Sequence, residues 1–237
     1  MNFHVVTLFP EVIEAYTSAS ILGRGKKEKK FSVKTYQMRD FVTNKWGKVD
    51  ERPYGGGPGM VVQAEPVIRA VEAIQKKIQK KKSIKEKTRD KKSMIYHTFL
   101  MPKVIITSAG GKPLTNAYAK SLLKNKDVII ICGRYEGIDA RAKKVLKAEE
   151  VSVGDYILTG GEVPALAIID AAARQIPGVL GKFESLEESR VASHDTYTRP
   201  EVFIYKGKNY RVPKVLLSGN HAKMDKWKEK KRSNPAS

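Results

Sequence analysis

The sequence predicts an α/β protein built on a parallel sheet covered on both faces. Three observations predict it. Strand-like and helix-like segments alternate from residue 1 to residue 176. Most strand-like segments are short continuous apolar runs, which mark strands buried on both faces. Glycine-bearing loops follow three of them, the pattern of open parallel sheets whose ligands bind beyond the carboxyl ends of the strands.

The elements follow in order. Residues 3–9 (FHVVTLF) form an apolar run stopped by Pro10 and read as a buried strand. Residues 11–16 read as a helix. Residues 31–38 are rich in β-formers and read as a second strand. Residues 52–60 are too dense in glycine for regular structure. Val67, Ile68, Val71 and Ile74 recur at helical spacing within residues 64–79. Residues 104–107 (VIIT) predict a strand running into Ser108-Ala109-Gly110-Gly111. Residues 114–124 predict a helix, 128–132 (VIIIC) a strand, 138–146 a helix and 150–153 a strand. An apolar helix follows over 163–175, opened by Pro164 in its first turn. Residues 182–196 read as a linker between a domain at 1–181 and a small basic one at 197–237.

The charge balance narrows the partners. There are 45 Lys plus Arg against 25 Asp plus Glu, a net charge of +20. Residues 24–34, 76–92 and 223–232 carry +5, +8 and +4 of it. Three basic segments in otherwise near-neutral sequence point to nucleic acid. The segment 76–92 has only Ile78 and Ile84 to bury, so it reads as a mobile loop or a solvated helix extension. The single cysteine, Cys132, excludes a disulfide framework and reads as packing at a strand end. His4, His97, His194 and His221 are scattered, so no metal site built from protein ligands alone is expected. No apolar run is long enough to span a membrane, and no secretion signal opens the chain. A cytoplasmic protein without membrane contact is the expectation.

Three loops carry the candidate chemistry: 107–111, 133–137 and 154–161. Glycines let a backbone approach a ligand and present bare N–H and C=O groups, which suit a purine edge. Tyr135 or Tyr156 could cover the ring face. The phosphate-loop pattern is absent, and no Gly-x-Gly-x-x-Gly follows a strand, which disfavours kinase, GTPase and dehydrogenase functions.

Seven segments, in order, amount to a family signature: LFPE (8–11), RPYGGGPGM (52–60), CGRYEGID (132–139), SVGDYILTGGEVPAL (152–166), RQIPGVLG (174–181), YTRPEVF (197–203) and VPKVLLSGNHAKMDKW (212–227). On them the chain resembles the bacterial tRNA (guanine-N1-)-methyltransferase family, TrmD, of the SPOUT class. The resemblance implies a parallel sheet whose chain forms a deep trefoil knot, a threading nearly absent from proteins, followed by a small, mainly helical C-terminal domain that binds tRNA. It implies an S-adenosyl-L-methionine site at Thr107, Ser108, Ala109, Gly133, Tyr135, Glu136, Ser152, Val153, Gly154, Asp155, Tyr156, Ile157, Leu158, Gly160, Gly161 and Pro164. It also implies a homodimer whose active site lies at the interface, and methylation of N1 of the guanosine immediately 3′ of the tRNA anticodon.

That chemistry needs a base, because guanine N1 carries a proton at neutral pH, and a cation near O6 to stabilise developing charge. Family matching puts the cation at Arg174. The base is where this chain departs from the family, whose Asp-Ser-Phe pattern is missing here. Ungapped counting puts Ser189 at the Asp position, and a shift of one residue puts Glu188 there. Glu188 is favoured, since serine is no unassisted base at neutral pH. Asp195 is the runner-up and Glu187 the third choice. An RNA-binding protein with a vestigial pocket is the alternative function, drawn from the missing Asp and the shortened linker.

Overall fold

The computed structural model describes residues 1–87, 101–180 and 195–232, with side chains given up to residue 80 in the first stretch and up to residue 227 in the last. The chain divides into two compact units, Met1–Gly181 and Lys182–Ser237.

The first unit is built on five parallel strands: β1 (Asn2–Thr7), β2 (Ser32–Gln37), β5 (Lys103–Pro113), β6 (Asp127–Ile131) and β7 (Glu149–Ser152), in the order β2-β1-β6-β5-β7. Alternate residues of each strand enter opposite layers. Phe3, Val5, Val128 and Ile130 pack under α1 (Pro10–Thr17), α2 (Ser20–Lys27) and α6 (Glu162–Arg174), whose Ile13, Leu22, Ile168 and Ile169 meet them. Val6, Ile129 and Ile131 pack on the other face, against Val67, Val71 and Ile74 of α3 (Ala64–Lys87) and Ala142 of α5 (Ala140–Leu146). A continuous apolar run such as VIII is required where a strand feeds two cores.

Helix starts obey capping chemistry. The hydroxyl of Thr115 accepts from the Tyr118 N–H at 3.1 Å to open α4 (Asn116–Ser121), and Asp139 accepts from the Arg141 N–H at 2.9 Å to open α5. Two short strands, β3 (Asp50–Glu51) and β4 (Val61–Val62), pair antiparallel and bracket the irregular glycine-rich segment 52–60.

Four differences from the expectations have physical causes. Helix α2 forms despite Gly23 and Gly25, because close packing needs them: a Cβ at Gly23 would lie 2.1 Å from the Ser18 carbonyl oxygen. Helix α3 runs on to Lys87, so the helix-extension reading holds for residues 76–87, and 88–92 lie outside the described residues. Ser108–Gly111 is not a loop after a strand. It is a bulge inside β5, where Val151 of β7 pairs with both Thr107 and Lys112. In the second unit, two helices, α7 (Lys214–Leu217) and α8 (His221–Arg232), are preceded by an unanticipated hairpin of β8 (Val202–Tyr205) and β9 (Lys208–Arg211). Its two-residue turn, Lys206-Gly207, has positive φ at both positions.

Candidate active site

Strand order sets the carboxyl ends of β6 and β7 on either side of the bulge in β5. The chain leaving them encloses a cavity of about 300 Å³. Thr107, where the bulge starts, is tied to the end of β6. Its hydroxyl donates to the Ile131 carbonyl and accepts from the Gly133 N–H, both at 3.3 Å. The third loop closes on the second: the Gly161 N–H donates to the Gly133 carbonyl at 2.8 Å, and Arg134 bridges Gly160. This approach demands glycine. A Cβ at Gly161 would lie 2.1 Å from Thr107 Oγ1 and 2.6 Å from the Gly133 nitrogen. Gly110 and Gly137 also line the cavity, yet a Cβ on either meets nothing within 4 Å. There the bare backbone borders open space that a ligand can enter.

Ser152 shapes the third loop. Its hydroxyl donates to the Gly154 carbonyl at 2.9 Å and accepts from the Gly154 N–H at 3.3 Å. The Tyr156 ring folds over Gly154, so a Cβ there would meet Tyr156 Cε1 at 2.2 Å. Tyr135, Tyr156, Ile157 and Leu158 expose apolar surface at this site. Tyr135 holds a left-handed backbone (φ 57), a costly conformation for an aromatic residue.

The structure brings fifteen of the sixteen cofactor-site candidates to this one cavity: Thr107, Ser108, Ala109, Gly133, Tyr135, Glu136, Ser152, Val153, Gly154, Tyr156, Ile157, Leu158, Gly160, Gly161 and Pro164. Asp155 is the exception. It is exposed and does not line the cavity.

Gly110, Arg134, Gly137, Val151 and Thr159 also line the cavity; all but Val151 lie in the three candidate loops, yet the resemblance names none of them as a cofactor-site residue. Arg134 is the most connected of them. Its Nη1 donates to the Thr159 carbonyl at 3.3 Å, and its guanidinium lies 4.3 Å from the centre of the Phe9 ring. Its Nε faces Glu162 Oε2 at 3.0 Å, an ion pair whose two atoms are not aligned as a hydrogen bond. Glu162 is buried at the start of α6 and accepts from the Thr7 hydroxyl at 2.7 Å. The signal was present, an arginine within a glycine loop, but its partners lie on distant segments. Cys132 is buried, and burial, then the Glu162 charge, pushes its thiol well above its ordinary pKa.

The glycine-rich segment 52–60 touches the second loop. The Glu136 N–H donates to the Met60 carbonyl at 3.0 Å. Gly59 sits against the Glu136 carboxylate, which a Cβ would approach to 2.6 Å. Among the described residues no group of three or more His, Cys, Asp or Glu could hold a metal ion.

Of the catalytic candidates, Arg174 is the one in the described part of the first unit, and it does not line the cavity. Pro164 lines it, whereas Arg174 ends the same helix, roughly 15 Å farther along the axis. The Arg174 Nε is buried without a hydrogen-bond partner among the described residues. Asp195 belongs to the second unit and is exposed. Glu188 and Glu187 lie outside the described residues.

Comparison with known proteins shows the family. A family model described as "tRNA (Guanine-1)-methyltransferase TrmD" matches residues 1–236. The tRNA (guanine-N(1)-)-methyltransferase of Clostridioides difficile is 39% identical over 232 residues, covering 96% of this chain and 90% of that protein. That of Ruminiclostridium cellulolyticum is 41% identical over 232 residues, covering 96% and 89%. The crystal structure of the tRNA (m1G37) methyltransferase from Aquifex aeolicus superposes with a TM-score of 0.73 at 36% identity, covering 98% of this chain and 89% of that one. With a parallel α/β fold, three glycine-bearing segments meeting at one cavity and a family match along nearly its whole length, the chain belongs to the tRNA (guanine-1)-methyltransferase family.

Proposed function

We propose that the protein transfers a methyl group from S-adenosyl-L-methionine to N1 of the guanosine immediately 3′ of the anticodon in tRNA. The observation that carries this reading is the convergence of three glycine-bearing segments on one cavity, in a chain of this family. Gly110 and Gly137 leave room beside bare backbone, and Ser152 to Leu158 supply N–H and C=O groups for an adenine edge. When bound there, S-adenosyl-L-methionine supplies an electrophilic methyl group on a sulfonium.

The chain's own residues do the rest. Thr107, Gly133 and Gly161 hold the cavity in shape. The guanidinium of Arg174 stabilises negative charge on guanine O6 as N1 gives up its proton. A carboxylate of the segment joining the two units, Glu188 first and Asp195 or Glu187 after it, takes that proton. The N1 electron pair would then bond to the methyl carbon as the carbon–sulfur bond breaks, its pair staying on sulfur as a neutral thioether.

The finer features of the family belong to the same reading. The distance from Pro164 to Arg174 supports a homodimer in which each cavity is completed by the partner's Arg174. The hold of Gly161 on Gly133 and of Gly160 on Arg134 supports a trefoil knot threading the second and third loops. The basic second unit, beyond a linker at 182–196, binds tRNA, and the enzyme works in the cytoplasm.

The test is transfer from labelled S-adenosyl-L-methionine to tRNA transcripts that differ only at the guanosine after the anticodon. Label should enter the guanosine transcript alone. Label in neither transcript, or in both equally, contradicts the reading. In single-turnover form, Glu188→Gln should slow transfer roughly 10²–10⁴-fold with little change in either affinity. Loss in Asp195→Asn or Glu187→Gln instead moves the base. Loss in none of the three removes the carboxylate mechanism.

A further inference from the structure

A second and larger cavity, about 1040 Å³, lies at the β2 edge of the sheet. It runs along five consecutive residues of the edge strand β2, Ser32 to Tyr36, and takes in the amino-terminal residues of β1 and β6. The methyl-transfer cavity is lined from β5, β7 and the segment after β6, toward the opposite edge of the sheet, and the two cavities share no lining residue.

The floor of this groove is polar and internally satisfied. His4 faces the Tyr36 hydroxyl through Nδ1 at 3.1 Å and Asp127 through Nε2 at 3.4 Å. The Asn2 amide also donates to Asp127, at 2.8 Å. On the wall, Glu14 accepts from the Thr35 hydroxyl at 2.5 Å. The rim carries four lysines: Lys34 on β2, Lys126 before β6, and Lys77 and Lys80 on α3. Lys77 lies over the Tyr36 ring at 5.3 Å.

Four other lysines of the first unit find carboxylates. Lys103 and Lys112 pair with Glu149, Lys143 with Glu150 and Lys48 with Glu51. Lys34, Lys77 and Lys126 have no carboxylate partner among the described residues. Helix α3 continues past the groove to Lys87, and residues 76–87 hold seven lysines and one acid. A groove of this size exceeds most small-ligand sites. Its cations lie along an edge and continue into a lysine-rich helix, which matches a chain of phosphates rather than one anion.

We propose that this groove binds the phosphodiester backbone of RNA, as a contact separate from the methyl-transfer cavity. It requires RNA binding but not methyl transfer, so it stands or falls independently of the reaction.

The test combines Lys34→Gln, Lys77→Gln and Lys126→Gln in the full chain. Affinity for a tRNA transcript is measured across salt concentrations. Each lost phosphate contact reduces the slope of log K against log salt by about one, so the slope should flatten by about two to three. S-adenosyl-L-methionine affinity should stay unchanged and serves as the folding control. Independently, an azidophenacyl group on Lys34→Cys should cross-link to the tRNA; the buried Cys132 leaves the new thiol as the labelled one. An unchanged salt slope, or a lack of cross-linking above that of the unlabelled protein, overturns the proposal.

Discussion

Gly161 and Gly110 line the same cavity and should answer a side chain in opposite ways. At Gly161 a Cβ collides with Thr107 Oγ1 and with the Gly133 backbone. Gly161→Ala should therefore destabilise the fold by about 1–3 kcal/mol, as overpacking does. At Gly110 a Cβ enters open space. Gly110→Val should keep the melting temperature and weaken S-adenosyl-L-methionine binding by more than about tenfold, or about 1.4 kcal/mol. Thermal unfolding and calorimetry on both variants check this. Reversed effects would mean that the open side of Gly110 is not where the ligand lies. The glycine pattern was legible in the sequence because glycine is the residue a close backbone approach requires. Which glycine serves the fold and which the ligand was not legible, because the colliding atoms come from residues more than twenty positions away.

Among elements, Glu149 is the junction of β5, β7 and α4. It accepts from Lys103 at 2.5 Å, from Lys112 at 2.7 Å and from the Tyr118 hydroxyl at 3.1 Å. The Lys103 hydrogen bond first, then the one from Lys112, hold its carboxyl at about 2, down from 4.5. A depressed carboxylate stabilises the fold above its unfolded pKa, and that stabilisation is lost as pH falls through the folded value. Glu149→Gln should thus lower stability on the order of 2 kcal/mol at neutral pH. The gap from the parent should shrink below about pH 4.5 and close near pH 2. Denaturant midpoints across that range check it, and a gap independent of pH would show that charge is not the cause.

Element legibility followed burial. Val128 to Cys132 stood out because each residue enters a core. The β8–β9 hairpin went unread because all but one of its strand residues are exposed, which leaves no apolar face to detect. The bulge at Ser108–Gly111 depends on the register against β7, a tertiary fact. Helix α2 was hidden by the low intrinsic helix propensity of Gly23 and Gly25, which tertiary packing overrides.

At the scale of the whole molecule, a single chain holds the cavity and Arg174 at different ends of α6. The family signature made the cavity and the guanosine target legible, but not this separation, because helix length enters only once α6 has defined bounds. The charge of +20 suits a polyanionic substrate, and the lysine groove at the β2 edge of the sheet extends that surface. If two protomers share each site, Gly110→Val and Arg174→Ala are defects in different halves of it. The most direct measurement mixes these two impaired variants at an S-adenosyl-L-methionine concentration too low to load Gly110→Val, lets subunits exchange, and follows labelled methyl transfer to tRNA. Random pairing puts one intact composite site in half of the dimers, so activity should return to about one quarter of the parent level. Activity that stays at the level of the separate variants, although the subunits have exchanged, would contradict a site completed by the partner's Arg174.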